Sequence, residues 1–387
     1  MSNLSGLTTA QIAALTTFQI QALTTDDITS FTTSQVSAFT TAQIQALTTK
    51  QVVAFSTGNV AAFTTRQVAA FETADLVALT TAQIVALTTA QVSSLGTTQV
   101  GVLTTAQVQA LETQDVAALK TSQVAALSTG SVAALTTSQI QAVTTAGVAA
   151  LKTAQVAALT TDQIVALTTG QVVAVTTANV AALSTAQVAA IETTDIAVLK
   201  TSQVAALSTG SVAALTTNQV QAVTTAGVAA LKTAQVAALT TDQIVALTTT
   251  QIQAVTTANV AALSTTQLAA IETTDIAALK TSQVVAITTS GVAALTTGQV
   301  VALTTAQASS LTTNQIGALT TSQVQAIETT DIAALKTGQV AALTTTNVAA
   351  LTTNQVVALT TGQVSSLTTN QIGALTTSQA AAIETVD

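Results

Sequence analysis

The stretch Leu7-Thr8-Thr9-Ala10-Gln11-Ile12-Ala13-Ala14-Leu15 holds the whole chain in miniature. It closes on the residue that opened it, and the next copy starts there. Leu7, Leu15, Leu23, Phe31, Phe39 and Leu47 begin a series that runs in steps of eight to Leu375 and Ile383, with no insertion or deletion. A second apolar series, Ile12, Ile20, Ile28 and Val36, follows five positions behind, with Ala308 and Ala380 as its weak members. Threonine holds one place in every unit, from Thr9 to Thr385, and variation gathers at the positions of Ala10 and Ala13. Such a period is the signature of an array of stacked units.

Larger duplications lie over the octad. The segment from Lys120 recurs almost unchanged from Lys200, and the block from Ile271 recurs from Ile327. Whole groups of units can be copied this way when an added unit touches only its neighbours. No linker interrupts the pattern, so residues 1–387 read as one continuous solenoid of about 48 octads.

Two local structures compete for the octad. In the helical reading Thr8 is the N-cap and Gln11 stands at N3, forming a capping box, while Leu7 and Ile12 form the hydrophobic staple around it. Ile12 and Leu15 then share one face with Gln11, and Ala10 and Ala13 share the opposite one. Glu192 and Lys200 replace threonine at the proposed cap, whereas Thr9 never varies, which leaves Thr9 as an alternative cap. In the β-solenoid reading, threonine and glutamine side chains stack in rows. That reading puts Ile12 and Leu15 on opposite faces, because their separation is odd, and turn residues are few, with 15 Gly and no Pro. One continuous helix fits worst, since eight residues leave a drift of about 80° per unit. The expected fold is therefore all-α, a solenoid of short helices with one per octad. A lone octad cannot offset the entropy of ordering itself, so neighbouring units must share one core; the number of units per superhelical turn is left open.

Composition excludes several functions. Histidine and cysteine are absent, which removes the commonest general base, cysteine nucleophiles, disulfides, and imidazole and thiolate metal sites. A formal charge of −8 argues against nucleic acid. Hydrophobic residues make up 49% of the chain, yet threonine interrupts them every few positions, so no spanning segment is expected. The start, Met-Ser-Asn-Leu-Ser-Gly, lacks the basic end and apolar core of a secretory signal peptide.

The one charged constellation worth testing is Glu-Thr-x-Asp, followed in most copies by Lys. It occurs as Glu72 and Asp75; as Glu112, Asp115 and Lys120; as Glu192, Asp195 and Lys200; as Glu272, Asp275 and Lys280; and as Glu328, Asp331 and Lys336. Calcium needs six to eight oxygens, more than such a pair supplies alone. The favoured reading sets the acids in the first helical turn, stabilised by its dipole, with Lys pairing to Glu across coils as exposed pairs do. The threonine hydroxyls could face ice, mineral or polysaccharide, but capping is the favoured role, and Gln is read as a backbone partner. Five phenylalanines, Phe31, Phe39, Phe55, Phe63 and Phe71, sit in the leucine register as core; Phe18 points outward, toward an end cap or a neighbouring chain. The outward positions, such as Ala10, Ala13, Gly58, Ala61 and Ser93, are small and uncharged, which suits close approach of other chains.

The run from Leu79 to Leu95, Leu-Thr-Thr-Ala-Gln-Ile-Val-Ala-Leu and its next copy, resembles octapeptide repeats of large secreted bacterial proteins described as haem-utilisation or adhesion proteins. The resemblance implies a bacterial cell-surface or extracellular location, reached without a classical N-terminal signal peptide. It lends no support to haem binding, since His, Cys and Tyr are absent and Met1 is the one methionine. The expected function is an extracellular structural fibre, sheath or stalk that self-associates, with no catalytic, cofactor-binding or metal-binding residue. The alternative is an adhesin or ice-binding module, with cell surface or polysaccharide as partner.

Overall fold

The computed structural model describes residues 4–383. Met1 and Thr385 lie outside the described residues. Within them the chain is all helical: a 3-10 turn at Leu4–Gly6 precedes 47 short α-helices, from Thr9–Ala13 to Thr377–Ala382, and there is no strand. The β-solenoid alternative falls on the geometry that made it doubtful, because Ile12 and the following leucine share one inward face.

Each helix starts as its octad dictates. Thr8 is extended, at φ −71° and ψ 158°, and is the N-cap. The Gln11 N–H donates to Thr8 Oγ1 at 3.3 Å, and the Thr8 N–H donates to Gln11 Oε1 at 2.9 Å. Thr9 is the first helical residue and not the cap, which settles the choice left between the two threonines. Units with lysine at the cap keep half of the box. The Lys120 and Lys200 N–H groups donate to Gln123 and Gln203 Oε1 at 2.8 and 2.9 Å, although neither lysine side chain caps its helix. The glutamine half of the motif serves threonine, serine, glycine and lysine caps alike, because it uses only the backbone N–H of the cap residue.

Each helix ends without special chemistry. Leu135 at φ −56°, ψ 136° and Thr136 at φ −69°, ψ 161° are two successive extended residues between helices. No described residue has positive φ. Leucine and threonine can both adopt these angles, so the break needs neither the glycine nor the proline of a conventional helix stop.

The chain divides into two compact units, Met1–Asp195 and Ile196–Asp387. Within the first, each helix packs on the third one along, as Thr65–Ala70 does on Thr89–Ser94. Within the second, Thr217–Ala222 packs on Thr241–Ala246 in the same way. The leucine and valine registers fill the interior: Val36, Phe39, Val108 and Leu111 are buried in the first unit, and Ile244, Leu247, Val324 and Ile327 in the second. Four phenylalanine pairs in the first unit meet edge to face, as Phe31 and Phe39 do at 5.3 Å and Phe63 and Phe71 at 5.2 Å. Phe18 instead stands on the outward face of Thr17–Gln21, 78% exposed.

Candidate functional site

A side chain at N3 projects inward beside the valine register, and this places a buried polar group in each turn of the coil. Gln43, 2% exposed, uses both ends of its amide. Its Oε1 accepts from the Thr40 N–H at 2.7 Å, closing its own cap. Its Nε2 donates to the carbonyls of Ile12 at 2.9 Å and Leu15 at 2.7 Å, 31 and 28 residues earlier. Those carbonyls lie at the end of the helix four units back, where helical partners have run out. In the second unit Gln251 repeats the arrangement, donating to Val220 and Val223 at 2.8 and 2.6 Å. Helices therefore pack on the third neighbour while glutamines tie to the fourth, and one turn of each coil closes between three and four octads. Reading Gln11 as a backbone partner anticipated the cap half of this bond set; the tie between coils carries no mark in a single octad.

The length of the N3 side chain sets how far it reaches. Asparagine, one methylene shorter, keeps only the nearer carbonyl: Asn59 donates to Phe31 at 3.1 Å and Asn179 to Leu151 at 2.9 Å. Ser131 reaches the Leu103 carbonyl at 3.2 Å. Gly147, Gly227 and Gly291 carry no side chain into this space at all.

Aspartate occupies the same inward position in the Glu-Thr-x-Asp units. The expectation of acids in the first helical turn holds for the aspartates, but they are buried there, and the glutamates precede the turn. Glu72 and Glu112 are exposed N-cap residues, but Asp75, Asp115, Asp195, Asp275 and Asp331 are buried, because N3 faces the core. Asp115 accepts from the Thr89 hydroxyl at 2.9 Å and from the Glu112 N–H at 3.3 Å. Asp75 Oδ2 is buried without a hydrogen-bond partner. Burial, with the neighbouring Glu72 charge behind it, pushes the Asp75 carboxyl up to about 6, against a counteracting hydrogen bond from the Glu72 backbone. Burial likewise raises Asp115, opposed by the donors Thr89 and Glu112. Among the described residues, no group of three or more acidic side chains is placed to share a metal ion. Lys120, Lys200, Lys280 and Lys336 stand at N-cap positions, each with its N–H on the following glutamine.

The outward positions are those of Ala10, Ala13, Gly58 and Ala61, all exposed; Ser93 is half-buried. Some residues in this register fasten neighbouring coils: Ser37 Oγ and Gln253 Nε2 donate to the carbonyls of Ala62 and Ala278 at 2.9 and 3.0 Å. An open groove of about 400 Å³ runs past Glu328, Thr330, Thr352 and Asn354. It holds one carboxylate and no partner base. Voids between Val228, Leu239 and Ile252 amount to about 20 Å³, smaller than any organic ligand. No described helix is long and apolar enough to cross a membrane.

A model of the ALTTAQ repeat matches residues 2–33, 28–65, 68–105, 108–145, 141–169, 188–225, 220–249, 268–305 and 324–361. The chain belongs to the ALTTAQ repeat family. Matches fall along most of its length, and the six letters of the family's description are the segment that builds one cap and one tie: Ala78-Leu79-Thr80-Thr81-Ala82-Gln83 is one copy. There Thr80 caps, and Gln83 donates back to Val52 and Phe55 at 3.1 and 2.9 Å. No curated protein and no solved structure matches the chain.

Proposed function

We propose that this ALTTAQ repeat protein is a non-catalytic structural element, a fibre, sheath or stalk that associates with copies of itself at a cell surface or outside the cell. The observation that carries this reading is the use made of the polar groups. The N3 glutamine and the N-cap threonine of the octad are taken up by caps and, for the glutamine, by ties between coils. What faces outward is a repeated set of alanine, serine, glycine and threonine, with exposed valines such as Val53, Val85 and Val165 among them and little charge. Small side chains let other backbones approach closely, and low charge weakens the repulsion that keeps solenoids apart. The extracellular setting rests on the resemblance of Leu79–Leu95 to repeats of secreted bacterial proteins. Negative-stain microscopy and light scattering of purified protein over a hundredfold range of concentration test the reading. Filaments or bundles that grow with concentration are the expected result; monomers throughout would overturn the self-association.

A second reading keeps one observation of its own. The invariant threonine at the first helical position, Thr9 and its counterparts, has no capping duty, and most of these residues are exposed. Their hydroxyls are the group that an adhesin or ice-binding surface would use. Retention on polysaccharide, or thermal hysteresis, by a monomeric preparation would favour it.

A further inference from the structure

We propose that the Asp75 unit is an acid-tightened joint, in which a neutral Asp75 carboxyl donates to the Leu47 carbonyl and ties two coils together, and an ionised one releases that tie. This stands apart from the structural role proposed above and does not need the protein to self-associate.

The geometry comes from the shorter side chains at the same position. Asn59, Asn179, Asn259 and Asn347 each donate from Nδ2 to the carbonyl 28 residues earlier, at 2.8–3.1 Å. Aspartate has the shape of asparagine, with an oxygen in place of that nitrogen. At residue 75 the corresponding carbonyl belongs to Leu47. Asp75 is 3% exposed, and its Oδ2 is the buried atom without a partner. A carboxylate oxygen set against a carbonyl oxygen meets like partial charge, whereas a carboxylic O–H meets an acceptor. A single proton decides between repulsion and a hydrogen bond.

The surroundings favour the proton. Helix Thr73–Ala78 packs on Thr49–Ala54, whose Lys50 is exposed at an outward position, and on Thr97–Gly101, which bears no charge. The ionisable neighbour on its own segment is Glu72, whose negative charge opposes ionisation of Asp75. Asp115 shows the accepting alternative. There the Thr89 hydroxyl, 26 residues earlier, donates to the carboxyl at 2.9 Å. Thr49 stands at the equivalent place before Asp75, so ionisation exchanges a donor to Leu47 for an acceptor from Thr49. With its carboxyl moved from 3.8 to about 6, folded Asp75 holds its proton across a window in which an unfolded aspartate has lost it. The folded chain then binds more protons, so stability falls as pH rises through that window and is greatest below it.

Hydrogen exchange on the full chain tests this, corrected for the intrinsic pH dependence of exchange. Amides of residues 72–79 should be protected at least tenfold more at pH 4.5 than at pH 7.5. Asp75→Asn, which carries its donor at every pH, should show equal protection at both. Carbon-13 titration of the Asp75 carboxyl should give a midpoint well above the ordinary aspartate range. Protection independent of pH in the parent, an unchanged pH response in D75N, or a midpoint near 4 would each overturn the joint.

Discussion

Val143 Cγ1 occupies the space in which the side chain of residue 147 would begin: a methyl group on Gly147 would lie 2.9 Å from it. The same conflict recurs at Val223 with Gly227 and at Ile287 with Gly291, each at 2.9 Å. A branch at Cβ in the leucine register therefore competes with the glutamine of the following helix. Wherever valine or isoleucine stands in that register, as at Val143, Val175, Ile191 and Ile327, the residue four places on is Gly, Asn or Asp and never Gln.

Gly147→Gln should thus destabilise the protein by about 1–3 kcal/mol through overpacking. Val143→Leu in the same chain should recover most of the loss, since Leu135 and Gln139 coexist in the preceding unit. Chemical denaturation of the two single variants and the double variant closes the cycle. Additive losses would show that the two positions do not compete.

Gln163→Leu should cost about 2–4 kcal/mol, because it strands the Val132 and Leu135 carbonyls that Nε2 reaches at 2.9 and 2.7 Å. Gln11→Leu should cost about 1 kcal/mol or less, since the bonds of Gln11 are those of its own cap. Equal midpoints for the two variants in urea would deny the tie its role.

The two threonines of an octad should behave differently. Thr104→Ala removes a cap accepting from the Gln107 N–H at 3.2 Å and should cost about 1 kcal/mol. Thr105→Ala, at the first helical position, should cost a few tenths. Lys152→Thr supplies a missing side-chain cap and should stabilise by about 0.5–1 kcal/mol. Melting temperatures of the three variants check the order.

A peptide of residues 7–22 should show no helix by far-ultraviolet circular dichroism in dilute buffer. Two short helices are below the length at which isolated helices persist, and their packing partners lie three octads away. Cooperative folding of that peptide would remove the basis for the array.

The local half of this fold was legible in one octad. Thr8 and Gln11 stand in the expected capping box, and the spacing of Leu7 and Ile12 around it argued for a helix over a strand. The coil was not legible, because its closure depends on Gln43 meeting Ile12 and Leu15, a contact across some thirty residues that no local period records. The acidic units were misjudged for a related reason. Asp75 lies in a first helical turn, where acids are usually solvated, but its position is the one that the coil turns inward. Some residues at the place of Thr9 serve contacts between coils that no single octad reveals: Thr89 donates to Asp115 and Thr153 to Asn179, at 2.9 and 3.3 Å.

The glutamine ties also have a direction. In Gln43, Gln83, Gln163 and Gln251 alike, the amide that donates is the later residue and the carbonyl that receives is the earlier one. An octad leaving the ribosome therefore finds the acceptors of its N3 tie already synthesised, whereas outward side chains such as Ser37 and Gln253 reach for carbonyls still to come. For the N3 ties the acceptors are thus laid down in the order of translation, in a long array as in a short one.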